Sequence, residues 1–374
     1  MSYSDVVGHI SMVFDQTRNA AYAAAIRKYV TPDTVVLDVG AGLGVHGLIA
    51  AAAGARKVYL IEPEPVIHAA REVARHNGFA DRVVAIQGRV EEVDLPEKVD
   101  IITSVFTGNL LYSEDLLPSL FLARDRWLKP GGKMIPDAAE LVAAPVSAPR
   151  LHEDMLGAWS TPHFGLDYSA LRRFASNKMY AERRPAFAPE LLSAPQILVA
   201  TDLTLAINTD CDSQVAFVPE SDGRCSGVMA WIRIRLGDDW LGTGPLDPQV
   251  HWTPQFMPVD PPIAVRAGVP LSFNLHRPAH AEWTWRLETG GEKRRHSTFL
   301  SQPLAFSDMR KLAPDFVGKR NDRALAVQDV LGRMDGTMRS AAIATHLMQT
   351  YPRQFSDAAA ALAFVREMAR KYAQ

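Results

Sequence analysis

The stretch VVLDVGAGLGVHGLIAAAAGARKVYLIE, residues 35–62, decides the fold of this 374-residue chain. It contains a β-branched run, a glycine-rich turn, an alanine-rich run and a second β-branched run. This succession is typical of parallel strands joined by a crossover helix. We therefore predict strands at 35–40 and 57–62, with a helix at 45–53 between them.

The same alternation continues along the chain to residue 137. A second helix is predicted at 65–77, and further strands at 82–88 and 99–104. Repeated strand and helix units of this kind build a doubly wound sheet with helices on both faces. We expect an α/β, Rossmann-like domain at 1–137, which includes an N-terminal helix.

Beyond residue 137 the pattern changes to short alternating strands separated by Gly, Pro and Asp turns. This pattern predicts an antiparallel, β barrel-like domain at 138–305, interrupted by a polar-aromatic helical segment at 151–173. From residue 306 to residue 374 the chain is predicted to be helical, with three amphipathic helices at 323–334, 338–349 and 356–371.

The composition excludes several classes of protein. The 40 Lys and Arg residues nearly balance the 42 Asp and Glu residues, so no global field favours nucleic acid or an anionic membrane. No apolar run is long enough to span a bilayer, and no charged-then-apolar leader is present. Cys211 and Cys225 lack the spacing of a zinc site. We expect a soluble, cytoplasmic protein with two free thiols, no metal and no nucleic-acid or membrane partner.

The glycine-rich turn is a candidate ligand site. Three glycines follow Asp38 at the end of the first predicted strand: Gly40, Gly42 and Gly44. Without Cβ atoms a ligand can touch the backbone, and the next helix adds N–H donors. A ligand-free tight turn or a dinucleotide site would give the same pattern. Glu62 ends the second strand, where a carboxylate can accept ribose hydroxyl protons, and Glu91 follows the third strand within reach of an adenine amino group.

Several stretches, in order, resemble the motifs of the protein arginine methyltransferases, which use S-adenosylmethionine. They are HISMVFDQTRNAAYAAAI (9–26), residues 35–62, GRVEEVDLPEKVDIITS (88–104), LFLARDRWLKPGGKMIPD (120–137) and WLGTGPLDPQVHWTPQFMPV (240–259), the last resembling the family's His-Trp loop. The resemblance covers roughly residues 5–300. It implies S-adenosyl-L-methionine as cofactor, and a homodimer.

The resemblance also implies roles for single residues. Arg18 would bind the methionine carboxylate, Asp38 and the glycines would line the cofactor, and Glu62 and Glu91 would hold the ribose and the adenine. A guanidinium pairs well with a carboxylate, which suits the first of these roles; a solvated surface arginine is the alternative for Arg18. His46 stands where the family usually has an apolar residue.

The loop IITSVFTGNLLYSEDLL, residues 101–117, departs from the family pattern. The family uses two glutamates here, and Glu114 falls on the second. The first falls on Val105 or on Ser104, depending on the direction of counting, which indicates an inserted residue. Two carboxylates grip a guanidinium, and the loss of one costs several kcal/mol. We therefore expect an acceptor other than an ordinary arginine substrate.

The candidate catalytic residues are Glu114, His251 and Asp15. The resemblance implies a contact between Asp15 and His251, and such a pair could orient the imidazole as a proton acceptor. An exposed loop carboxylate is the alternative for Glu114, and a structural histidine is the alternative for His251.

Two segments lie outside this chemistry. The segment 151–173 lies where the family inserts an arm that docks on a partner subunit, and we expect its apolar residues Met155, Leu156, Trp159 and Phe164 to be exposed; packing on the same chain is the alternative.

From Asp308 onward, Lys and Arg outnumber acidic residues by four. Residues 323–355 weakly resemble the helical part of a winged-helix peptide-chaperone domain, which binds a leader peptide by strand addition. A plain helical cap is the alternative.

The sequence thus predicts an S-adenosylmethionine-dependent methyltransferase. The expected acceptor is a nitrogen of a protein or peptide side chain. A small-molecule N- or O-methyltransferase and a non-catalytic cofactor-binding relative are the alternatives.

Overall fold

The computed structural model describes residues 5–182 and 189–373. The chain divides into two compact units, Met1–Pro303 and Leu304–Gln374.

The first unit begins with a short helical segment. It comprises a 3-10 turn at Val7–His9, helix α1 (Ile10–Val13) and helix α2 (Gln16–Tyr29). Asp15 caps α2, because its side chain accepts a hydrogen bond from the backbone N–H of Arg18 at 2.9 Å. The inner face of α2 is buried, including Tyr22 and Ile26.

A five-stranded parallel sheet follows. Its strands are β1 (Val35–Val39), β2 (Lys57–Glu62), β3 (Val83–Gln87), β4 (Val99–Ser104) and β5 (Leu128–Ile135). Helices α3 (Val45–Ala52), α4 (Ile67–His76) and α5 (Leu117–Trp127) connect them. The strand order is β3-β2-β1-β4-β5. The order reverses between β1 and β4, so the carboxyl ends of these strands form the crevice where α/β sheets bind ligands.

The remainder of this unit is antiparallel. Its strands are β6 (Ala138–Ser147), β7 (Tyr180–Ala181), β8 (Glu190–Leu191), β9 (Gln196–Asp202), β10 (Cys211–Phe217), β11 (Gly223–Leu236), β12 (Asp239–Gly242), β13 (Gln255–Val265), β14 (Leu271–Arg277), β15 (Thr284–Thr289) and β16 (Glu292–Ser297). In the described residues one sheet has the order β7-β13-β11-β6-β8, with β12 on β11 and β9 on β6, and the other has the order β10-β14-β15-β16. The predicted α/β domain followed by an antiparallel sheet domain is confirmed.

The parallel and antiparallel sheets share one hydrophobic core. Leu37 and Ile102 of the parallel sheet and Phe217 and Trp285 of the antiparallel sheets are all fully buried in it. Because the core is continuous across residue 137, the boundary expected there stays a prediction.

The arm segment 151–173 is tied to its own chain at both ends. Helix α6 (Pro149–Leu156) buries Leu156 completely and leaves Met155 half-buried, so the expectation that these side chains are exposed is wrong. The reason is helical periodicity, which places them on the face that packs on the barrel. At the other end, Arg172 in helix α7 (Arg172–Ala175) forms a bidentate pair with Asp260 at 2.8 Å.

The tip of the arm is exposed, as expected. Trp159 is 37% exposed and Phe164 is 92% exposed. Apolar side chains at Leu166, Tyr168 and Leu171 are also open to solvent. The tip is therefore an apolar surface without a covering element among the described residues.

The second unit contains helices α8 (Phe306–Arg310), α9 (Asp322–Arg333), α10 (Ser340–Thr350) and α11 (Ala358–Tyr372). The last three close around their own small core, which includes Val330, Leu347 and Val365. No strand occurs between residues 304 and 373 of the described chain. Binding of a leader peptide by strand addition needs a strand edge, so the winged-helix expectation finds no support in these residues.

Cys211 and Cys225 are buried and unpaired with each other, and burial raises the pKa of both thiols to about 12. Among the described residues no helix has the length and hydropathy needed to cross a bilayer. The same residues contain no group of three or more His, Cys, Asp or Glu side chains placed to bind a metal ion.

Candidate active site

The glycine turn between β1 and α3 needs its glycines for two reasons. Gly40, Gly42 and Gly44 have φ values of +70°, +53° and +77°, which disfavour any residue with a Cβ. The turn is also tightly covered. A Cβ on Gly40 would lie 2.1 Å from the ring of Phe106, and one on Gly44 would lie 2.9 Å from Leu60.

Two buried carboxylates hold this turn. Asp38 accepts a hydrogen bond from the backbone N–H of Gly47 at 2.8 Å, and burial raises its pKa to about 7. Glu62 accepts from the backbone N–H of Gly42 at 2.9 Å and from that of Glu64 at 3.0 Å. Burial also raises the pKa of Glu62. Each oxygen of Glu62 retains a further lone pair at the carboxyl end of β2.

His9 is a site residue that the sequence analysis missed. It is buried, and its ring carbon Cε1 would lie 3.0 Å from a Cβ on Gly42. The N-terminal segment 7–14 therefore covers the glycine turn, and we refer to it below as the lid. The sequence signal was available, because His9 begins the first of the resembling stretches.

Arg18 lies on α2 beneath this lid. It is 3% exposed, which rules out the solvated surface alternative. Its Nη2 donates to the carbonyl of Met12 at 2.7 Å, and its guanidinium lies 5.2 Å from the centre of the Trp252 ring. Burial lowers the pKa of Arg18. A buried guanidinium with unused donors is suited to binding an anion.

Asp15 and His251 make the predicted contact, through the backbone N–H of His251. One oxygen of Asp15 accepts from the backbone N–H of His251 at 2.6 Å, and the other accepts from the backbone N–H of Arg18. Asp15 thereby fixes the loop that carries His251 to the start of α2. Each of its oxygens retains a further lone pair, so the expectation that Asp15 orients the imidazole stays a prediction. Burial and the charge of Arg18 lower the pKa of His251, so its ring is neutral near pH 7.

The loop after β4 carries Glu114. Ser104 is buried at the end of the strand, where its hydroxyl donates to the carbonyl of Val39 at 3.0 Å and accepts from the backbone N–H of Phe106. Val105 is half-buried and packs against the core. A Cβ on Gly108 would lie 2.5 Å from the carboxylate of Glu114. Although Glu114 is exposed, the protein packed around its carboxylate raises its pKa.

Barrel residues hold both sides of Glu114. The neighbouring Asp115 accepts from Arg277 at 2.6 Å and from the backbone N–H of His280 at 3.2 Å. On the other side, Trp283 donates to the hydroxyl of Ser113 at 3.2 Å. These contacts cannot be predicted from the sequence, because their partners lie on distant strands.

A further contact joins the two predicted catalytic loops. The side-chain oxygen of Asn109 accepts from the backbone N–H of Thr253 at 2.7 Å. The Glu114 loop is thus attached to the His251 loop, which is attached in turn to the start of α2 through Asp15.

Glu91 lies apart from this network. It is exposed beyond β3 and accepts a hydrogen bond from the hydroxyl of Ser119 at 2.5 Å. Its contact with an adenine group stays a prediction.

Comparisons with known proteins place this arrangement in a family. Residues 36–132 match the family model described as "Methyltransferase domain". Protein arginine N-methyltransferase 6 of Danio rerio is 33% identical over 328 residues, which cover 83% of this chain and 94% of the relative.

The chain belongs to the protein arginine methyltransferase family.

Two other family members resemble it over most of the first unit. The probable histone-arginine methyltransferase CARM1 of Oryza sativa subsp. indica is 33% identical over 76% of this chain, although the chain spans only 57% of that relative's length. The structure of the Trypanosoma brucei PRMT1 enzyme–prozyme heterotetrameric complex with AdoHcy covers 79% of this chain and 99% of its own, with 27% identity and a TM-score of 0.71.

Proposed function

We propose that this chain binds S-adenosylmethionine and transfers its methyl group to a nitrogen of a protein or peptide side chain other than an ordinary arginine substrate. Family membership supports methyl transfer. The T. brucei family member with bound AdoHcy supports the choice of cofactor.

The residues at the carboxyl ends of β1 and β2 suit this cofactor. Glu62, held by two backbone donors, has lone pairs left for two ribose hydroxyls. Asp38 and the glycine turn line the nucleoside, and Glu91 reaches the adenine amino group. Arg18, buried and only partly occupied by Met12, binds the methionine carboxylate. The cofactor supplies an electrophilic methyl group on a sulfonium.

The chain must then align a nucleophile, exclude water and leave the acceptor with a lone pair. Glu114 is suited to the last task, because its raised pKa makes it a stronger base than an ordinary carboxylate. The neutral imidazole of His251 is the second group able to accept a proton. The contact between Asn109 and Thr253 keeps the loops of these two groups together.

The single observation that carries the choice of acceptor is the state of the acids on the Glu114 loop. Asp115 is the other acid of this loop, and Arg277 already neutralises it. Ser104 is occupied within the sheet and Val105 is apolar. A desolvated guanidinium would therefore meet one free carboxylate where it needs two, at a cost of several kcal/mol. An amine, an amide or an imidazole nitrogen needs at most one.

A peptide panel tests this proposal. One peptide sequence is prepared with Arg, Lys, His, Gln or Asn at its central position, and each version is incubated with the protein and methyl-labelled S-adenosylmethionine. Tandem mass spectrometry of the intact peptides should locate the label on Lys, His, Gln or Asn. Labelled methylarginine at comparable efficiency would contradict the choice of acceptor.

A Glu114→Gln variant tests the role of the carboxylate in the same assay, with Glu72→Gln as the matched control. Glu72 is exposed on α4, where its carboxylate accepts hydrogen bonds from Arg75 of the same helix. Loss of label with Glu114→Gln, and not with Glu72→Gln, is expected. Transfer to small molecules alone would favour the metabolite alternative.

We also propose that the chain forms a homodimer through the arm tip. Trp159 and Phe164 present an apolar surface, and the arm is fixed at its base by Arg172 and Asp260. A rigid base with an apolar tip is suited to docking on a second subunit.

A further inference from the structure

His46 is an unusual residue for its place in the fold. It lies in the first turn of α3, directly behind the glycine turn, and is 5% exposed. Its ring stacks on Tyr22 with a centroid distance of 4.2 Å and an angle of 17° between the planes. Burial and the charge of Arg18 lower its pKa to about 3, so the imidazole is neutral near pH 7. A buried neutral imidazole has one N–H donor that needs a partner.

That partner is Asn19 on α2. The Nε2 atom of His46 lies 3.3 Å from the side-chain oxygen of Asn19. Because this oxygen can only accept, the ring nitrogen donates. The same oxygen accepts from Nε of Arg18 at 3.4 Å.

The amide nitrogen of Asn19 extends the connection to the lid. It donates to the carbonyl of Met12 at 3.0 Å and to that of Val13 at 2.8 Å. These carbonyls lie at the end of α1, where the short helix supplies no partner for them, and that of Met12 also accepts from Arg18. The Asn19 amide therefore bonds to the lid through its nitrogen and to His46 and Arg18 through its oxygen.

We propose that His46 and Asn19 form a latch that holds the lid closed over the bound cofactor and slows its release. They are positioning residues, because they act through the lid and not by touching the cofactor. The lid places His9 against Gly42, and the latch connects it to α3 on the far side of the same turn. The inference rests on the proposed function, since it needs S-adenosylmethionine or its product in the site.

Surface plasmon resonance tests the latch, because it measures association and dissociation rates separately. The protein is immobilised, and S-adenosylhomocysteine is passed over it in solution. His46→Leu removes the donor and should raise the dissociation rate about fivefold, with the association rate changed less than about twofold. Asn19→Ala removes the bonds to both carbonyls and should raise it about tenfold or more. His46→Gln keeps an N–H at the position of Nε2 and should restore slow release.

Two controls separate a latch from a merely structural histidine. His76→Leu makes the same change at an exposed position of α4 and should leave both rates unaltered. In a variant that carries both His46→Leu and Asn19→Ala, the effects on the dissociation rate should not add, because each substitution breaks the same connection. Hydrogen exchange of residues 7–14 with S-adenosylhomocysteine bound should be faster in both single variants than in the wild type.

The outcomes are distinct. If His46→Leu lowers the melting temperature and leaves the dissociation rate unchanged, the histidine only fills the core and the latch is wrong. If that variant does not fold, Asn19→Ala provides the same test through the half-buried partner. If the wild-type protein binds no S-adenosylhomocysteine, the proposed function fails and the latch with it; binding with unaltered release in both variants overturns the latch alone.

Discussion

Replacement of Glu62 by glutamine should weaken cofactor binding. In the free protein the carboxylate accepts from the backbone N–H groups of Gly42 and Glu64. Glutamine offers one oxygen instead of two, so one of these donors or one ribose hydroxyl loses its acceptor, and the charge that strengthens the remaining bonds is lost. The expected cost is about 1–3 kcal/mol, which corresponds to roughly 5- to 150-fold in the dissociation constant.

Isothermal titration calorimetry with S-adenosylhomocysteine measures this loss, and circular dichroism confirms that the variant is folded. Glu72→Gln, on the exposed face of α4, is the matched control and should bind as the wild type does. The pH dependence provides a second check. Because burial raises the pKa of Glu62, a proton competes with the cofactor at a higher pH than for an exposed glutamate, and affinity should fall as the pH is lowered through that raised pKa. A folded Glu62→Gln protein with unchanged affinity would refute the assignment of this site.

Other parts of the molecule support three more predictions. Burial raises the pKa of Asp38 from 3.8 to about 7, so between these pH values the folded protein holds a proton that the unfolded chain has lost. The free energy of unfolding should therefore fall as the pH rises through that window, by at most about 1.4 kcal/mol per pH unit. Urea unfolding of the apo protein at several pH values measures this slope, and Asp38→Asn should flatten it. Replacing both Trp159 and Phe164 by serine should convert a dimer into a monomer in light scattering, and a wild-type protein that is already monomeric at micromolar concentration contradicts the arm proposal. Val105→Glu should not produce methylarginine in the peptide panel, because the new carboxylate would start from a half-buried position packed against the core. Efficient arginine methylation by that variant would show that the missing carboxylate alone prevents arginine from acting as the acceptor.

The secondary structure of the cofactor domain is predictable because its signals are local. The strand at 57–62 has the predicted bounds, and the strand predicted at 35–40 ends one residue earlier, at Val39. β-branched runs, an alanine-rich helix and a turn that only glycine can form each depend on neighbouring residues. The arm shows the limit of such reasoning, since the sequence marks Leu156 as apolar but not which side of α6 faces the barrel.

The sequence by itself determined the glycine turn, the alternation of strand and helix, the family and the absence of a second glutamate beside Glu114. Each of these features depends on residues that are contiguous in the chain. Only the tertiary structure decided how the site is held together. Asp15 meets the backbone of His251 across 236 residues, and Arg277 meets Asp115 across 162. No pattern along the chain encodes such pairs, since buried polar groups find their partners only when separate sheets and helices pack together and exclude water.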